Sequence, residues 1–558
     1  MKFRWKALAL AWWSVASCFA QSSSSEVFPL GVASGDPSAE GFVLMTHLSR
    51  KAFDPQLSEA YLEIAPQQNF TTVLVSFPLE ISTLLLEATA ESMEIPLKFR
   101  VEDTAAVQAG TTYYYRFRYQ NYLSPIGRAR SLPEAKAKLD RLRLGVVTCQ
   151  DYTTGNYHSL QYLADEKVDF IVHLGDVVYE YSRYPGMKDR DIIRTMEFPN
   201  GVIGQKPEQG LLKATTLADY RAIYRRVRLD PAMQRVMQNH TWIYTRDDHE
   251  TADDSFWDYS DDAPGFPEHD VRRSWAPGER RAVKLNALRA WSEFIPMGRV
   301  LNSHSNIKDV AESMYKTYHL GGLMDLLSIS TRDFRSDPRE KHGVRTMLGT
   351  QQKKWLAHEI SQSQASWQII ANQIMFSPLK IGFGQHLAMS LNKDAWDGYA
   401  DERNEIIDAL ATRPQVAIFT GDMHSSLVSY LKSDYTRPSG KERENIIGAE
   451  FMTPSLTSPH MGDNLRARFG FSGFTPVVRM VLEAFNPHIK HLHGSIYGYA
   501  IAEITPEHLD WYVYKIGKKD EIFKHLRKHL TYTPATRKIV SNEETPEEEA
   551  HGHPRTDQ

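Results

Sequence analysis

The chain has 558 residues, too many for one ordinary hydrophobic core, so two domains are the default expectation. It is 42% hydrophobic and 24% charged, the composition of a globular protein rather than a disordered or fibrous one. A formal net charge of −4 supplies no basic field, which argues against a nucleic-acid scaffold role.

Residues 1–20 read as an export signal. Lys2, Arg4 and Lys6 make a positive start, Ala7 to Ala16 is apolar, and small residues lead to Ala20. The apolar stretch is too short for a comfortable membrane span, and no other long apolar run occurs, so no transmembrane segment is expected. Val15-Ala16-Ser17-Cys18 also fits a bacterial lipoprotein signal, which would leave Cys18 as a lipid anchor. The expected location is therefore secreted, periplasmic or at the cell envelope. No twin arginine precedes the apolar stretch.

Residues 27–135 read as a small all-β domain, a sandwich of the fibronectin III kind. Short alternating runs such as Gly41-Phe42-Val43-Leu44-Met45-Thr46 and Thr112-Tyr113-Tyr114-Tyr115-Arg116-Phe117 are separated by turn signals. The stretch 133–139 reads as a linker. From Arg141 strands alternate with helices, and residues 140–520 are expected to form one catalytic α/β domain. Helices are expected over 155–166, 216–238 and 278–294, with loops over 184–210 and 253–277. Later strands are expected over 324–330, 367–375, 448–452, 499–504 and 509–514, the last two as a hairpin. Residues 536–558 are charged, with a Glu-rich stretch from Glu543, and are expected to be disordered.

Four apolar runs end at residues that carry chemistry. Leu142 to Thr148 ends at Cys149, and Val168 to Leu174 breaks at Gly175-Asp176. Thr241 to Tyr244 leads to Asp247-Asp248-His249-Glu250, and Val416 to Thr420 leads to Gly421-Asp422-Met423-His424. Short apolar runs bounded by polar turns read as buried strands of an α/β sheet, and ligands collect at the carboxyl ends of such strands. Carboxylates, imidazoles and one thiol delivered there suggest a metal site. Cys149 is the chain's only cysteine besides Cys18, so once the signal is removed it has no partner within the chain. It is either a small buried hydrophobe or a soft ligand. Asp176 and Tyr179 stand three apart, where one turn can bring both onto one ion. Asp248 can serve a second cation, and Asp422 and His424 can reach the site from one loop. Two close cations suit in-line displacement at phosphorus, with a bound water acidified to hydroxide. His249 is then a candidate general acid, or else a further ligand. Arg332 or Arg335 could clamp a phosphate oxygen, or form a surface salt bridge.

The order Cys-Gln, Leu-Gly-Asp-x-x-Tyr-Glu-Tyr, Asp-Asp-His-Glu and Gly-Asp-x-His resembles the PhoD-like alkaline phosphatases, a branch of the calcineurin-like metallophosphoesterases. Thr331 to Asp337, Leu348 to Leu356, Asp394 to Tyr399 and Thr453-Pro454-Ser455 extend the resemblance, and residues 28–37 and 124–128 resemble that family's N-terminal β domain. The resemblance covers about residues 28–516. It implies a four-layered metallophosphoesterase-type α/β sandwich, a ferric ion with one or two calcium ions, and hydrolysis of phosphate mono- or diesters. Cys149, Asp176 and Tyr179 would hold iron, and Asp176, Asp248, Asp422 and His424 would share the remaining coordination. Arg246 stands where the family usually has Trp, Asp253-Asp254 where it has an Asn pair, and His493-Gly494-Ser495 is altered. A phospholipase D-like phosphodiesterase on the same scaffold, or a non-catalytic β-domain adhesion protein, are the competing readings.

Overall fold

The computed structural model describes residues 23–542 apart from 58, 82–91, 103, 105, 204–210, 268–274, 340–344, 383–388, 436–444, 470–474 and 520. The export signal, Cys18 and residues 543–558 lie outside the described residues. No helix among those described is long and apolar enough to cross a membrane.

Two large sheets build a mixed α/β fold. The first has ten strands. It runs from Lys538–Asn542 through Lys524–Thr533, Leu509–Ile516 and Gly498–Ile504 to Leu142–Val147, Phe170–His173 and Thr241–Tyr244, and ends with Val32–Gly35, Phe42–Ser49 and Glu94–Val101. Its middle three strands are parallel, with Val172 opposite both Val146 and Ile243. The second has seven strands, of which Met324–Ser328, Trp367–Ala371, Val416–Thr420 and Ile446–Met452 are parallel neighbours.

Side chains alternate across each strand, so every strand can feed two cores. Val146, Val172 and Ile243 of the first sheet share one core with Leu326, Ile369 and Phe419 of the second, which makes an apolar interface between sheets. On the first sheet's other face, Val147, Ile171 and Trp242 pack under the helices His158–Leu163, Leu217–Arg228, Pro231–Asn239 and Pro277–Phe294. On the second sheet's other face, Leu327, Ile370 and Ile418 pack under Gly349–Gln362 and Ala400–Leu410. The order is helices, sheet, sheet, helices, and the carboxyl ends of the parallel strands in both sheets meet at one pole.

Three expectations change. The N-terminal strands are not closed off from the catalytic region. Glu59–Ala65, Val75–Glu80 and Thr112–Tyr119 form a separate sheet that shares a core with Phe42, Leu44, Ile95 and Leu97. Yet Val32–Gly35 pairs in parallel with Thr241–Tyr244, Ser34 opposite Thr241. This pairing satisfies backbone groups that an open edge would leave bare. The helix expected over 216–238 is two helices. Asp230 caps the second by accepting from Ala232 N, and Pro231 cannot continue the first. The disorder expected from residue 536 does not hold for residues 538–542. Lys538–Asn542 turns back through Arg537 and pairs with Lys524–Thr533, Val540 opposite Thr531.

Candidate metal centre

The four strand-end segments converge at that pole. Backbone bonds tie the first two together: Cys149 N donates to Gly175 O at 3.2 Å, and Gln150 N donates to Asp176 O at 3.0 Å. The approach of neighbouring segments leaves no room for side chains at two glycines. A Cβ on Gly175, whose φ is +108°, would sit 2.6 Å from Asp247 N. One on Gly421 would collide with Thr148 Oγ1. Backbone strain gathers here. Cys149, Asp176, Asp422 and His424 have φ of 55°, 59°, 63° and 50°, in the left-handed region that non-glycine residues enter at a cost.

Glu250 fastens the turns from beneath. Its carboxylate accepts from Val177 N at 2.7 Å, Asp247 N at 2.9 Å and Asp176 N at 3.1 Å. Above it, Cys149 Sγ donates to Asp176 Oδ2 at 3.4 Å, and Tyr179 OH donates to the same oxygen at 3.1 Å. Tyr179 OH also lies 3.2 Å from His424 Nε2 and accepts from Ser458 Oγ at 2.8 Å. The other ring nitrogen of His424, Nδ1, lies 2.8 Å from Pro459 O, which fixes the ring. Asp176 Oδ1 is buried and has no hydrogen-bond partner among the described residues.

Ligand atoms of Cys149, Asp176 and His424 lie within 4.8 Å of one another, as do those of Asp176, Asp248 and His249, and those of Asp248, Asp253 and Asp254. Asp176 belongs to the first two groups and Asp248 to the last two, so three small clusters form one chain of acid. His249 Nδ1 lies 2.8 Å from Glu180 Oε2, and its ring rests on Tyr179 with centroids 4.1 Å apart.

Six of the residues singled out from sequence therefore come together: Cys149, Asp176, Tyr179, Asp248, His249 and His424. Asp422 stands beside them but faces Arg332, whose Nη2 donates to Asp422 Oδ1 at 3.2 Å. Arg332 is buried, with further bonds to Asp247 and to Asp394 Oδ2, the latter at 2.6 Å. Arg335 does not reach the ligand groups. It is wholly buried, bonded to Ser255 O and Asp394, and holds Asp394 from behind. Sequence reading gives Glu180, Asp394 and Ser458 no role, although Glu180 lies in the Tyr-Glu-Tyr stretch and Asp394 in the Asp-Ala-Trp-Asp stretch.

Burial is the main electrostatic fact. It pushes the Cys149 thiol and the Tyr179 phenol up, with Asp176 adding to both. Burial and neighbouring carboxylates raise Asp176 and Asp422. Asp247 rises to about 6, Glu250 to about 7 and Asp254 to about 8, burial being the leading cause each time. Asp248 and Asp394 are the exceptions: burial opposes their ionisation, but Arg332, with His249 at Asp248 and Arg335 at Asp394, holds each below its ordinary value. Burial alone would lower His249, but Glu180, Asp176 and Asp248 together hold it well above the ordinary histidine range. A pole this short of positive charge is suited to cations, which would remove these protons.

The residues present fit a metal pair. A thiol, a phenol and an imidazole around one carboxylate suit a transition ion, and a cluster of carboxylates suits a hard cation such as calcium.

Comparison with known proteins agrees with this geometry. Residues 144–512 match the PhoD-like phosphatase family, and residues 13–133 match the N-terminal domain of PhoD-like phosphatases. Alkaline phosphatase D of Bacillus subtilis (strain 168) is 28% identical over 505 residues, covering 87% of this chain and 77% of that protein. A solved structure of PhoD superimposes with a TM-score of 0.77 at 24% identity, covering 94% of each chain. The chain belongs to the PhoD-like phosphatase family and is a phosphoric-ester hydrolase of mixed α/β fold.

Proposed function

We propose that the chain is an exported, metal-dependent phosphoesterase acting on phosphate monoesters, diesters or both, with alkaline phosphatase activity foremost. The observation that carries this reading is Asp176: a buried carboxylate shared by two ligand groups, with one oxygen that no group among the described residues satisfies. An uncompensated buried carboxylate is costly unless it is paired or coordinates a metal.

Cys149, Asp176, Tyr179 and His424 would hold one ion, ferric iron by resemblance. Asp176, Asp248 and its neighbours would hold the other, calcium by resemblance. Cations there would neutralise charge on the phosphoryl oxygens and acidify a water. The protein's own groups do the rest. Glu180 orients His249 through Nδ1 and favours its protonated form, so it can deliver a proton to the departing oxygen. Arg332 pairs with Asp247, Asp248, Asp394 and Asp422 at once and offsets the repulsion among these acids. We read the stack of layers as a metallophosphoesterase sandwich, with the N-terminal strands as a fibronectin III-like unit. Export rests on the positive start and apolar run of residues 1–20, with lipidation at Cys18 as its variant.

Protein purified without chelator is expected to be coloured and to contain iron, since a phenolate on ferric iron absorbs visible light. Tyr179→Phe keeps the packing volume and should bleach or shift that band. A panel of mono- and diesters assayed alongside elemental analysis fixes the preference. A colourless protein with full iron would overturn the tyrosinate, and a fully active iron-free protein would remove the ferric site.

A further inference from the structure

The edge strand Glu94–Val101 and the catalytic layers meet along a seam that holds a cavity of about 620 Å³, a size that suits a small organic ligand. Its floor is apolar: Trp291, Met297, Leu301, Val310 and Met314 line it, and all are buried. Its mouth is polar, where Gly298, Arg299, Asn306 and Asp309 are exposed.

Charge on the walls is mostly positive. Lys98, Arg100, Arg299 and Lys316 line the cavity, against Asp36 and Asp309. Lys98 and Arg100 stand two apart on one strand and so share a face. Asp36 is already fully engaged. It pairs with both Arg100 and Lys316, and it accepts from Tyr318 OH at 3.2 Å and Gly298 N at 3.4 Å. The Lys98 amine is bonded to carbonyls instead: Nζ donates to Ser292 O at 2.5 Å and Met297 O at 2.9 Å. An ammonium has three donors, so one remains. Ser292 follows Trp291, and Met297 stands two before Arg299, so the amine is held at the backbone beside both. Trp291 adds an orphan donor. Its indole Nε1 is buried and has no hydrogen-bond partner among the described residues. An indole N–H can only donate, and a buried donor left unpaired is costly. Burial lowers Lys98 to about 7 against the pull of Glu293, and burial with Arg100 lowers Lys316 to about 7. A neighbouring anion would raise both. The metal centre is a pole short of positive charge, and this seam is short of acceptors.

We propose that the seam cavity binds an amphipathic organic anion, its apolar body on the floor and its oxyanion head facing Lys98, Arg299 and the Trp291 indole N–H. The apolar floor selects against a bare inorganic ion, and the donors select against a neutral chain. None of the lining residues belongs to the ligand groups of the metal centre, so binding is separable from hydrolysis.

Decanoate, kept below the concentration at which it self-associates, is titrated into the full chain by calorimetry. One molecule should bind per chain, decanol should bind at least about tenfold more weakly, and decyltrimethylammonium should not bind. Arg299→Glu, an exposed charge reversal, should weaken decanoate at least about fivefold while leaving decanol and p-nitrophenyl phosphate hydrolysis as in the parent. Lys98→Met keeps the stem and should act likewise; should that variant fail to fold, Arg299→Glu still decides. A decanoate brominated at its far end, whose bromine quenches indole on contact, should dim the tryptophan emission, and Trp291→Phe should lose most of that quenching. Equal affinity for decanoate and decanol, decanoate binding untouched by Arg299→Glu, or quenching that survives Trp291→Phe overturns the site. So does uptake of many molecules per chain that no variant changes, which would be detergent-like adsorption. A matching loss of p-nitrophenyl phosphate hydrolysis in Arg299→Glu would tie that charge to the metal centre and overturn the site as well.

Discussion

Two buried aspartates have opposite fates. Asp333, after the strand Met324–Ser328, is fully answered. Arg246 Nη2 donates to its Oδ2 at 2.7 Å, Lys284 Nζ lies 2.9 Å from its Oδ1, and Ser330 Oγ donates at 2.8 Å. Burial would raise it, but Arg246 and Lys284 pull it far below its ordinary value. Asp176, after the strand Phe170–His173, is answered by donors that share its proton economy: a thiol and a phenol, while the backbone amides of its own turn are already claimed by Glu250. Its free oxygen and raised pKa are the result. A buried carboxylate with cations of its own is structural, whereas one without them is a place for a cation from outside.

The largest effect should come from removing the unanswered charge. Asp176→Asn is expected to abolish hydrolysis and most metal retention, because it removes an oxygen shared by two ligand groups. Loss of a mere outer partner of a ligand already costs about 10–100-fold. Stability of the metal-free protein should not fall, since Asn fills nearly the same space and replaces a carboxyl whose ionisation burial already opposes. Wild-type turnover at normal metal content would erase the distinction between the two aspartates.

Asp333→Asn is the converse. It strands Arg246 and Lys284 in the interior, where breaking a buried pair by removing one partner costs about 3–5 kcal/mol. Arg246 already has Nε and Nη1 without partners, so it has little to fall back on. Urea unfolding should show that loss while metal content per folded molecule stays unchanged. A cost below about 1 kcal/mol would mean that Asp333 is no better answered than an exposed ion pair.

The amino-acid sequence carries one side of this contrast openly. The unanswered side is written as a glycine and an acid directly after an apolar run, at Gly175-Asp176, because the parallel sheet forces ligands to strand ends. What answers Asp333 is not written locally. Arg246 is visible only as a departure from the family's Trp, and Lys284 arrives from the middle of a helix some fifty residues upstream in sequence. Asp394 likewise comes from a segment with no period, just before the short turn Trp396–Tyr399. Arg332 and Arg335 look alike in sequence, yet one pairs with four acids of the centre and the other only braces Asp394. The pairing of Val32–Gly35 with Thr241–Tyr244 joins segments about 200 residues apart, and the strand Lys538–Asn542 is a short run set against a charged tail. In each case partner choice is tertiary, and local pattern carries no trace of it.

A third class of buried group, neither answered by cations nor seeking one, gives the smallest effect and the cleanest sign. His240 and His488 are kept neutral. Burial lowers His240 to about 4 and His488 to about 3, and each ring has a nitrogen near a backbone carbonyl, Ala164 O at 3.2 Å and Pro378 O at 2.9 Å. An unfolded histidine titrates near about 6.5. Above that value neither state carries the proton and the stability contribution is complete. Between about 6.5 and about 4 the unfolded chain binds protons that the folded chain refuses, so stability falls as pH falls, by at most about 1.4 kcal/mol per pH unit for each group. Raised carboxylates work in the opposite sense, so the comparison must be made between variants rather than on the whole curve. His488→Gln retains a donor for Pro378 O but has nothing to titrate. The urea midpoint of that variant should decline less steeply than the parent's from pH 6.5 to pH 4, with the two curves parallel above pH 7. Parallel curves throughout would show that His488 takes up its proton in the folded chain as readily as in the unfolded one, and that burial alone does not keep it neutral.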